Sequence, residues 1–171
     1  KMKDLLIIGG GPGGYVAAIR ARQLGMDVTL VEKDTVGGTC LNRGCIPTKA
    51  YYRNAEIMRD LSRADDFNIS VTGLKFSLEQ ARERKNQIVK TLVGGVEKLL
   101  SDHGVEVLKG EAELQDCNTI TVSGQEIKAQ HILLATGSIS ASPSIPGLEL
   151  DGIVDSTGLL EINEKIGRAH V

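Results

Sequence analysis

Asp4-Leu-Leu-Ile-Ile-Gly-Gly-Gly-Pro-Gly-Gly14, followed after a short helix-length stretch by Asp27-Val-Thr-Leu-Val-Glu32, is the part of the sequence on which the fold turns. Asp4–Ile8 is a brief continuous apolar run, the pattern of a strand covered on both faces in a parallel sheet. It runs into a glycine turn of the form GxGxxG, through Gly9, Gly11 and Gly14. Gly9 permits the tight turn, Gly11 lets backbone approach a pyrophosphate, and Gly14 lets the next helix pack closely on the strand. That helix is expected over about Gly13–Gln23, with Val16, Ala17, Ala18, Ile19 and Ala21, and Gly25 as its stop. Its N-terminal amides and dipole form an anion site. Asp27–Glu32 is then a second strand, ending in an acid placed to accept hydrogen bonds from a ribose and to repel a 2′-phosphate. Strand, glycine turn, helix, strand and terminal acid together predict an α/β fold of the Rossmann kind that binds a dinucleotide. The motif alone does not separate NAD from FAD.

The next informative run is Gly37-Gly-Thr-Cys-Leu-Asn-Arg-Gly-Cys-Ile-Pro-Thr-Lys49, which starts five residues after Glu32. Thiols this close can open and close as a disulfide, and a nearby cation favours the thiolate. In a regular helix residues five apart have Cα atoms roughly 8–9 Å apart, whereas a disulfide needs about 4.4–6.8 Å. Cys40 and Cys45 therefore cannot both sit in one ideal helix and be bonded. Asn42, Gly44 and Pro47 predict an irregular opening turn. A regular helix is expected from near Ile46 towards Leu61, with Pro47 in its first turn. Cys45 and Lys49 then share a face, and the helix N-terminus and the ammonium both stabilise a thiolate. A zinc site would need two further ligands at suitable spacing, and His103, His131, His170 and Cys117 are scattered. No metal is expected.

Composition bounds the rest. The 171 residues carry 41% hydrophobic and 25% charged side chains and a net charge of −2, which suit a globular protein with no case for nucleic acid or an anionic membrane. No run approaches the roughly 20 apolar residues of a membrane span, and the apolar Leu5–Ile8 is too short for a signal peptide. Three cysteines, an odd count, do not look like a secreted disulfide framework, so a cytoplasmic location is expected.

Further along, Tyr51–Asp66 reads as the remainder of the cysteine helix fraying into a polar loop, and Tyr51-Tyr52 as packing residues. Ser77–His103 reads as a long helix, with a Ser77/Gln80 capping box and Gly104 as its stop. Gly94-Gly95 inside it suggests close packing or a cofactor neighbour, and the charged run Glu79–Lys85 a solvated face. Val105–Leu108 is a further parallel strand, Glu113–Lys128 a small antiparallel meander, and Gln130–Leu134 a buried strand running into the turn at Ala135–Ser138. Cys117 reads as an incidental thiol in the meander and His131 as a surface histidine. Ser142-Pro-Ser-Ile-Pro146 is a stiff linker.

Taken together, GGGPGGYVAA, the acid Glu32, GGTCLNRGCIPTK and the later ATGS resemble the pyridine nucleotide–disulfide oxidoreductases. Within that family the cysteine run is most like that of the dihydrolipoamide-oxidising members; glutathione, mercuric and trypanothione reductases carry close variants. The resemblance implies that residues 1–164 are the N-terminal portion of a Rossmann-like FAD-binding domain, a parallel sheet with a small antiparallel meander. It implies FAD as the cofactor, with Gly9, Gly11, Pro12, Gly13 and Gly14 at the pyrophosphate. Glu32 and Lys33 would meet the adenosine ribose, Gly38, Thr39 and Cys40 would continue along the cofactor, and Ala112 would lie by the adenine. Ala135, Thr136, Gly137 and Ser138 would make a second contact, and Ser156 would approach the flavin. Cys45 would face the isoalloxazine ring, Cys40 would exchange with a dihydrolipoamide or lipoyl-protein substrate, and Lys49 would lie near the flavin. Family members also carry an NAD(P)-binding unit and a dimerisation domain that makes them homodimers. Neither is expected in this sequence, which has no second glycine motif, so no NAD turnover is expected of this chain alone. Residues 165–171 look unlike the family's continuation and read as an appended tail.

Overall fold

Leu6 and Ile7 are wholly buried in the first strand, β1 (Lys3–Ile8), as a continuous apolar run requires. The computed structural model describes residues 2–163, and the expectations for residues 165–171 and His170 lie outside that range. The chain forms two compact units. One comprises the residues up to Asn42 together with Thr91–Ser140, the other Arg43–Lys90 together with the described residues from Ala141 onward.

The first unit is built on a six-stranded sheet of order β3-β2-β1-β6-β5-β4. Here β2 is Val28–Glu32, β3 Glu106–Lys109, β4 Ala112–Leu114, β5 Thr119–Val122 and β6 Gln125–Leu134. β1 pairs in parallel with β2 and β6, and β2 in parallel with β3. β4, β5 and the start of β6 form the antiparallel meander, in register Ala112↔Val122 and Val122↔Gln125. β6 therefore serves twice: Gln125–Lys128 lies in the meander, while Lys3 pairs with Ala129 and Ile8 with Leu134 in the parallel ladder.

The alternation of side chains along a strand divides the core. Ile7 faces helix α1 (Pro12–Gln23): its Cγ2 lies 3.4 Å from where a Cβ on Gly14 would stand. On the opposite face Leu6 and Val31 cluster with Ile120, Val122 and Ala129. The meander thus covers the sheet face that α1 does not. Each fully buried leucine or isoleucine contributes about 1.5–3 kcal/mol relative to exposure. Helix α1 stops where expected: Gly25 adopts φ +86° and the Met26 amide returns to the Ala21 carbonyl. At this same amino end of the strands Lys3 bridges Glu106 at 2.9 Å and Asp27 at 3.2 Å. Glu106 also accepts the hydroxyl of buried Thr29 at 2.7 Å.

The cysteine run departs from the expected irregular turn. It forms a short helix α2 (Gly38–Arg43) and then helix α3 (Cys45–Ser62). The two are separated at Gly44, whose φ −140°, ψ −107° is not helical. One residue takes up the whole break, and the turn before it stays helical. Asn42 holds that turn by donating from Nδ2 to the carbonyls of Val36 at 3.1 Å and Gly38 at 3.0 Å. Pro47 sits buried in the first turn of α3, as expected.

In the second unit α3 is followed by a 3-10 turn, Ala64–Phe67, closed by left-handed Asn68. Helix α4 (Leu78–Asp102) begins in this unit, with the Gln80 amide donating to Ser77 Oγ at 3.3 Å. Two expectations for α4 are modified. The close packing expected at Gly94-Gly95 is not found: among the described residues nothing lies within 4 Å of a Cβ placed on either glycine. These glycines lie on the open side of the helix, away from buried Val93 and Val96. The charged run is not solvated throughout: Glu79, Glu83 and Arg84 are exposed, but Ala81 and Lys85, one turn apart, are buried. Helical period, not charge, sets which residues face inward. The last element among the described residues of this unit is the single turn α5 (Ser156–Leu159), capped by Asp155, which accepts the Gly158 amide at 2.8 Å.

Candidate nucleotide cradle and thiol pair

Three backbone segments of the first unit converge at the carboxyl end of β1. The glycine turn is the first. A Cβ on Gly14 would stand 1.7 Å from the Gly9 carbonyl oxygen, so the start of α1 lies directly on the turn. The second segment follows β6: the Ala135 amide donates to the Ile8 carbonyl at 2.8 Å, and a Cβ on Gly9 would meet the Ala135 oxygen at 2.2 Å. The third is the start of α2. The Gly37 amide donates to the Gly10 carbonyl at 2.8 Å, and a Cβ on Gly38 would meet Gly11 Cα and Pro12 Cδ, each at 2.9 Å. Gly37 and Gly38 adopt φ +104° and +67°, where a side chain is strained. Gly11 and Gly13 are left on the open side, with a Cβ no nearer than 3.6 Å and 3.8 Å to any neighbour.

The cradle has the chemistry of an anion site. No side chain caps α1, and its first turn carries no acid. The terminal amides and the positive end of the helix dipole are thus left to a ligand. Glu32 closes the far side. Its carboxylate accepts the Gly10 amide at 2.7 Å and the Asp34 amide at 2.8 Å, one on each oxygen. A carboxylate offers about four acceptor sites, so capacity for hydroxyl donors remains. Lys33 is exposed and pairs with Glu111 at 3.2 Å, beside Ala112. Thr136, Gly137 and Ser138 continue the chain from Ala135 and are exposed. A pyrophosphate bearing an adenosine ribose fits this arrangement: backbone on three sides, amides at one end and an acceptor at the other.

Cys40 lies on α2, two residues after the glycine that abuts Gly11. Cys45 is the first residue of α3, and Lys49 is one turn further on the same face. Cys40 and Cys45 are both disulfide-bonded. Cys117, the remaining cysteine, is free and exposed, so the bond joins Cys40 to Cys45. Ser156 opens α5 in the second unit.

Sequence reasoning gave Gly10 and Gly37 no site role and read Asn42 only as part of an opening turn. A Cβ on Gly10 would stand 3.0 Å from Val36 and 3.1 Å from the Glu32 carboxylate. The glycine pairs around positions 10 and 37 were the available signal. Nothing in the local pattern of Asn42 announces three backbone carbonyls within reach.

Comparison with known proteins agrees with this geometry. Residues 3–170 match the pyridine nucleotide-disulphide oxidoreductase family. The dihydrolipoyl dehydrogenase of Acholeplasma laidlawii is 43% identical over 150 residues, which cover 87% of this chain and 45% of that enzyme. That of Geobacillus stearothermophilus is 41% identical over 166 residues, covering 94% of this chain and 35% of that enzyme. Among solved structures, the HOCl-induced flavoprotein disulfide reductase RclA from Escherichia coli superposes with a TM-score of 0.79 at 32% identity. The match covers 94% of this chain and 34% of that one. The chain thus spans less than half the length of the curated relatives it matches.

Proposed function

The chain belongs to the pyridine nucleotide-disulphide oxidoreductase family, and from that premise we propose that it is the FAD-binding, redox-disulfide portion of a dihydrolipoyl dehydrogenase. The observation that carries this reading is the continuity of α2. Its first residue, Gly38, closes on the dinucleotide cradle, and its third, Cys40, is half of a disulfide. Gly9, Gly11, Pro12, Gly13 and Gly14 would hold the pyrophosphate, Glu32 and Lys33 the ribose, Ala112 the adenine side, and Ala135–Ser138 the second contact. FAD, when bound, would supply a two-electron acceptor between the thiols and a nicotinamide.

The chemistry of the chain's own residues is thiol–disulfide exchange. A dihydrolipoamide thiolate attacks Cys40 Sγ, the Cys40–Cys45 bond breaks, and Cys45 leaves as a thiolate. The substrate's second thiolate then attacks its own sulfur in the mixed disulfide, releasing Cys40 as thiolate and closing the oxidised lipoyl ring. The two cysteines have gained the electron pair that the substrate lost. Exchange is faster the better the leaving thiolate, and Cys45 has both the N-terminus of α3 and Lys49 to stabilise it.

Equilibration with FAD followed by gel filtration tests the proposal. Near-stoichiometric retention of a flavin spectrum, lost in Gly11→Ala, is expected; a wild-type chain that retains none would refute the cradle reading. NADH formation from dihydrolipoamide by the 171 residues alone is not expected, because the sequence holds no second glycine turn for a nicotinamide cofactor. Likeness to RclA supports one further reading, a flavoprotein reductase acting on another disulfide. Rates of NAD(P)H oxidation by lipoamide, glutathione disulfide and mercuric ion, compared in the enzyme that carries these residues, separate the two.

A further inference from the structure

The second unit holds a buried charge that thiol exchange does not use. Lys85 of α4 is 2% exposed. Its ammonium donates to the Leu160 carbonyl at 3.1 Å and to the Glu161 carboxylate, and lies 5.9 Å from the centroid of the Tyr51 ring. Tyr51 Oη donates to the same Leu160 carbonyl at 3.0 Å. Arg82, one turn before Lys85, donates to the Glu161 carbonyl at 3.3 Å and to the Asn163 side chain.

Three long side chains from α3 and α4 thus converge on three residues, Leu160, Glu161 and Asn163, that have little structure of their own. Leu160 is the C-cap of α5, a helix of one turn. Such a turn is marginal in isolation, so its placement depends on outside partners. Burying an ammonium is costly unless it is fully paired. An apolar residue of the same volume would fill the space at lower cost but would leave α5 free to slide. Directional bonds to one carbonyl and one carboxylate define a single register.

We propose that Lys85 is a positioning residue. With Tyr51 it locks the Asp155–Ile162 turn to α3, the helix whose first turn carries Cys45 and Lys49, and so sets where Ser156 stands. The part played by Ser156 rests on the flavin reading above; the lock itself does not.

Amide hydrogen exchange on the 171-residue chain tests the lock, read at Gly158, Leu159, Leu160 and Glu161, each of which donates within the turn. Lys85→Met should speed exchange there by about tenfold or more, the loss of a charge-assisted hydrogen bond, with β1 and β2 unchanged. Lys85→Arg should restore most of the protection. In the chain loaded with FAD, Lys85→Met should shift the flavin absorbance and Lys85→Arg should not. Unchanged exchange in the turn, or equal acceleration in β1 and β2, would overturn the proposal. Tyr51→Phe removes only one hydroxyl from the same carbonyl and gives the answer if Lys85→Met does not fold: about threefold faster exchange at the same amides is expected, and none overturns the lock. Failure of the wild-type chain to hold FAD would instead count against the flavin reading, and the exchange data would stand.

Discussion

Replacing Gly14 by alanine isolates the closest backbone approach in the nucleotide cradle. Gly14 lies in the first turn of α1 with no positive φ, so the backbone itself accepts a side chain. The added Cβ, however, would stand 1.7 Å from the Gly9 carbonyl oxygen and 2.9 Å from its carbon. Contacts of this kind are comfortable near 3.5 Å, so helix and turn would have to part by roughly 1.5 Å or more. Both colliding groups are backbone, and neither can rotate away. Overpacking costs about 1–3 kcal/mol, occasionally more, and this site lies at the upper end. Alanine's better helix propensity returns about 1 kcal/mol, leaving a net loss of about 2 kcal/mol. For a chain of this size that corresponds to a melting temperature lower by about 4–8 °C. Gly94→Ala is the matched control, also within a helix but with nothing within 4 Å. It should stabilise by about 0.5–1 kcal/mol. Thermal and urea unfolding followed by circular dichroism measure both. If Gly14→Ala unfolds within about 0.5 kcal/mol of wild type, an effect no larger than that of an ordinary surface substitution, the packing argument for the cradle fails.

Gly11→Ala should separate folding from binding: its Cβ makes an ordinary 3.6 Å contact with Gly38, so stability should hold within about 0.5 kcal/mol while FAD retention in gel filtration is lost. Thiol titration of the unfolded chain should find one reactive sulfur before reduction and three after, since Cys117 alone is free; three before reduction would contradict the disulfide. Lys49→Met should slow reduction of the disulfide by a small dithiol about twofold, the effect of losing an exposed charge interaction of about 0.5 kcal/mol. The Lys3–Glu106 pair sets a pH window. Its hydrogen bond to Lys3, and then that to Thr29, hold the Glu106 carboxyl below its ordinary value of 4.5. This stability is present above that value and lost as pH falls through the lowered one. The bond to Glu106 raises the Lys3 ammonium above 10.5, so that contribution holds below 10.5 and fades as pH rises through the raised value. Glu106→Gln should flatten the acid limb of urea midpoint against pH, by under about 1 kcal/mol for so exposed a pair; an unaltered limb would show that the pair is not responsible.

The legible parts of the molecule were those encoded by neighbours in sequence. β1, the glycine turn, α1, β2, the meander and the limits of α4 all followed from apolar period, glycine position and caps. Even there detail escaped. The spacing of Cys40 and Cys45 demanded a break between them but could not say that Gly44 alone would make it, with a helical turn kept on the Cys40 side. The Gly94-Gly95 pair looked like a packing contact because glycine is costly inside a helix. Among the described residues nothing comes near it.

By itself the sequence determined a dinucleotide-binding βαβ unit and a thiol pair that no single regular helix could join. Both rest on short-range geometry, the rise and turn of helix and strand and the φ values open to glycine, and these act within a few residues of chain. Only the tertiary structure decided which surfaces meet. It brought Ala135 onto Gly9 and Gly38 onto Gly11, gave Asn42 its carbonyls, and buried Lys85 against Leu160 and Glu161 inside a run that reads as solvated charge. Such contacts join residues far apart in the chain. Their free energy depends on burial and on available partners, and neither is written in the residues on either side.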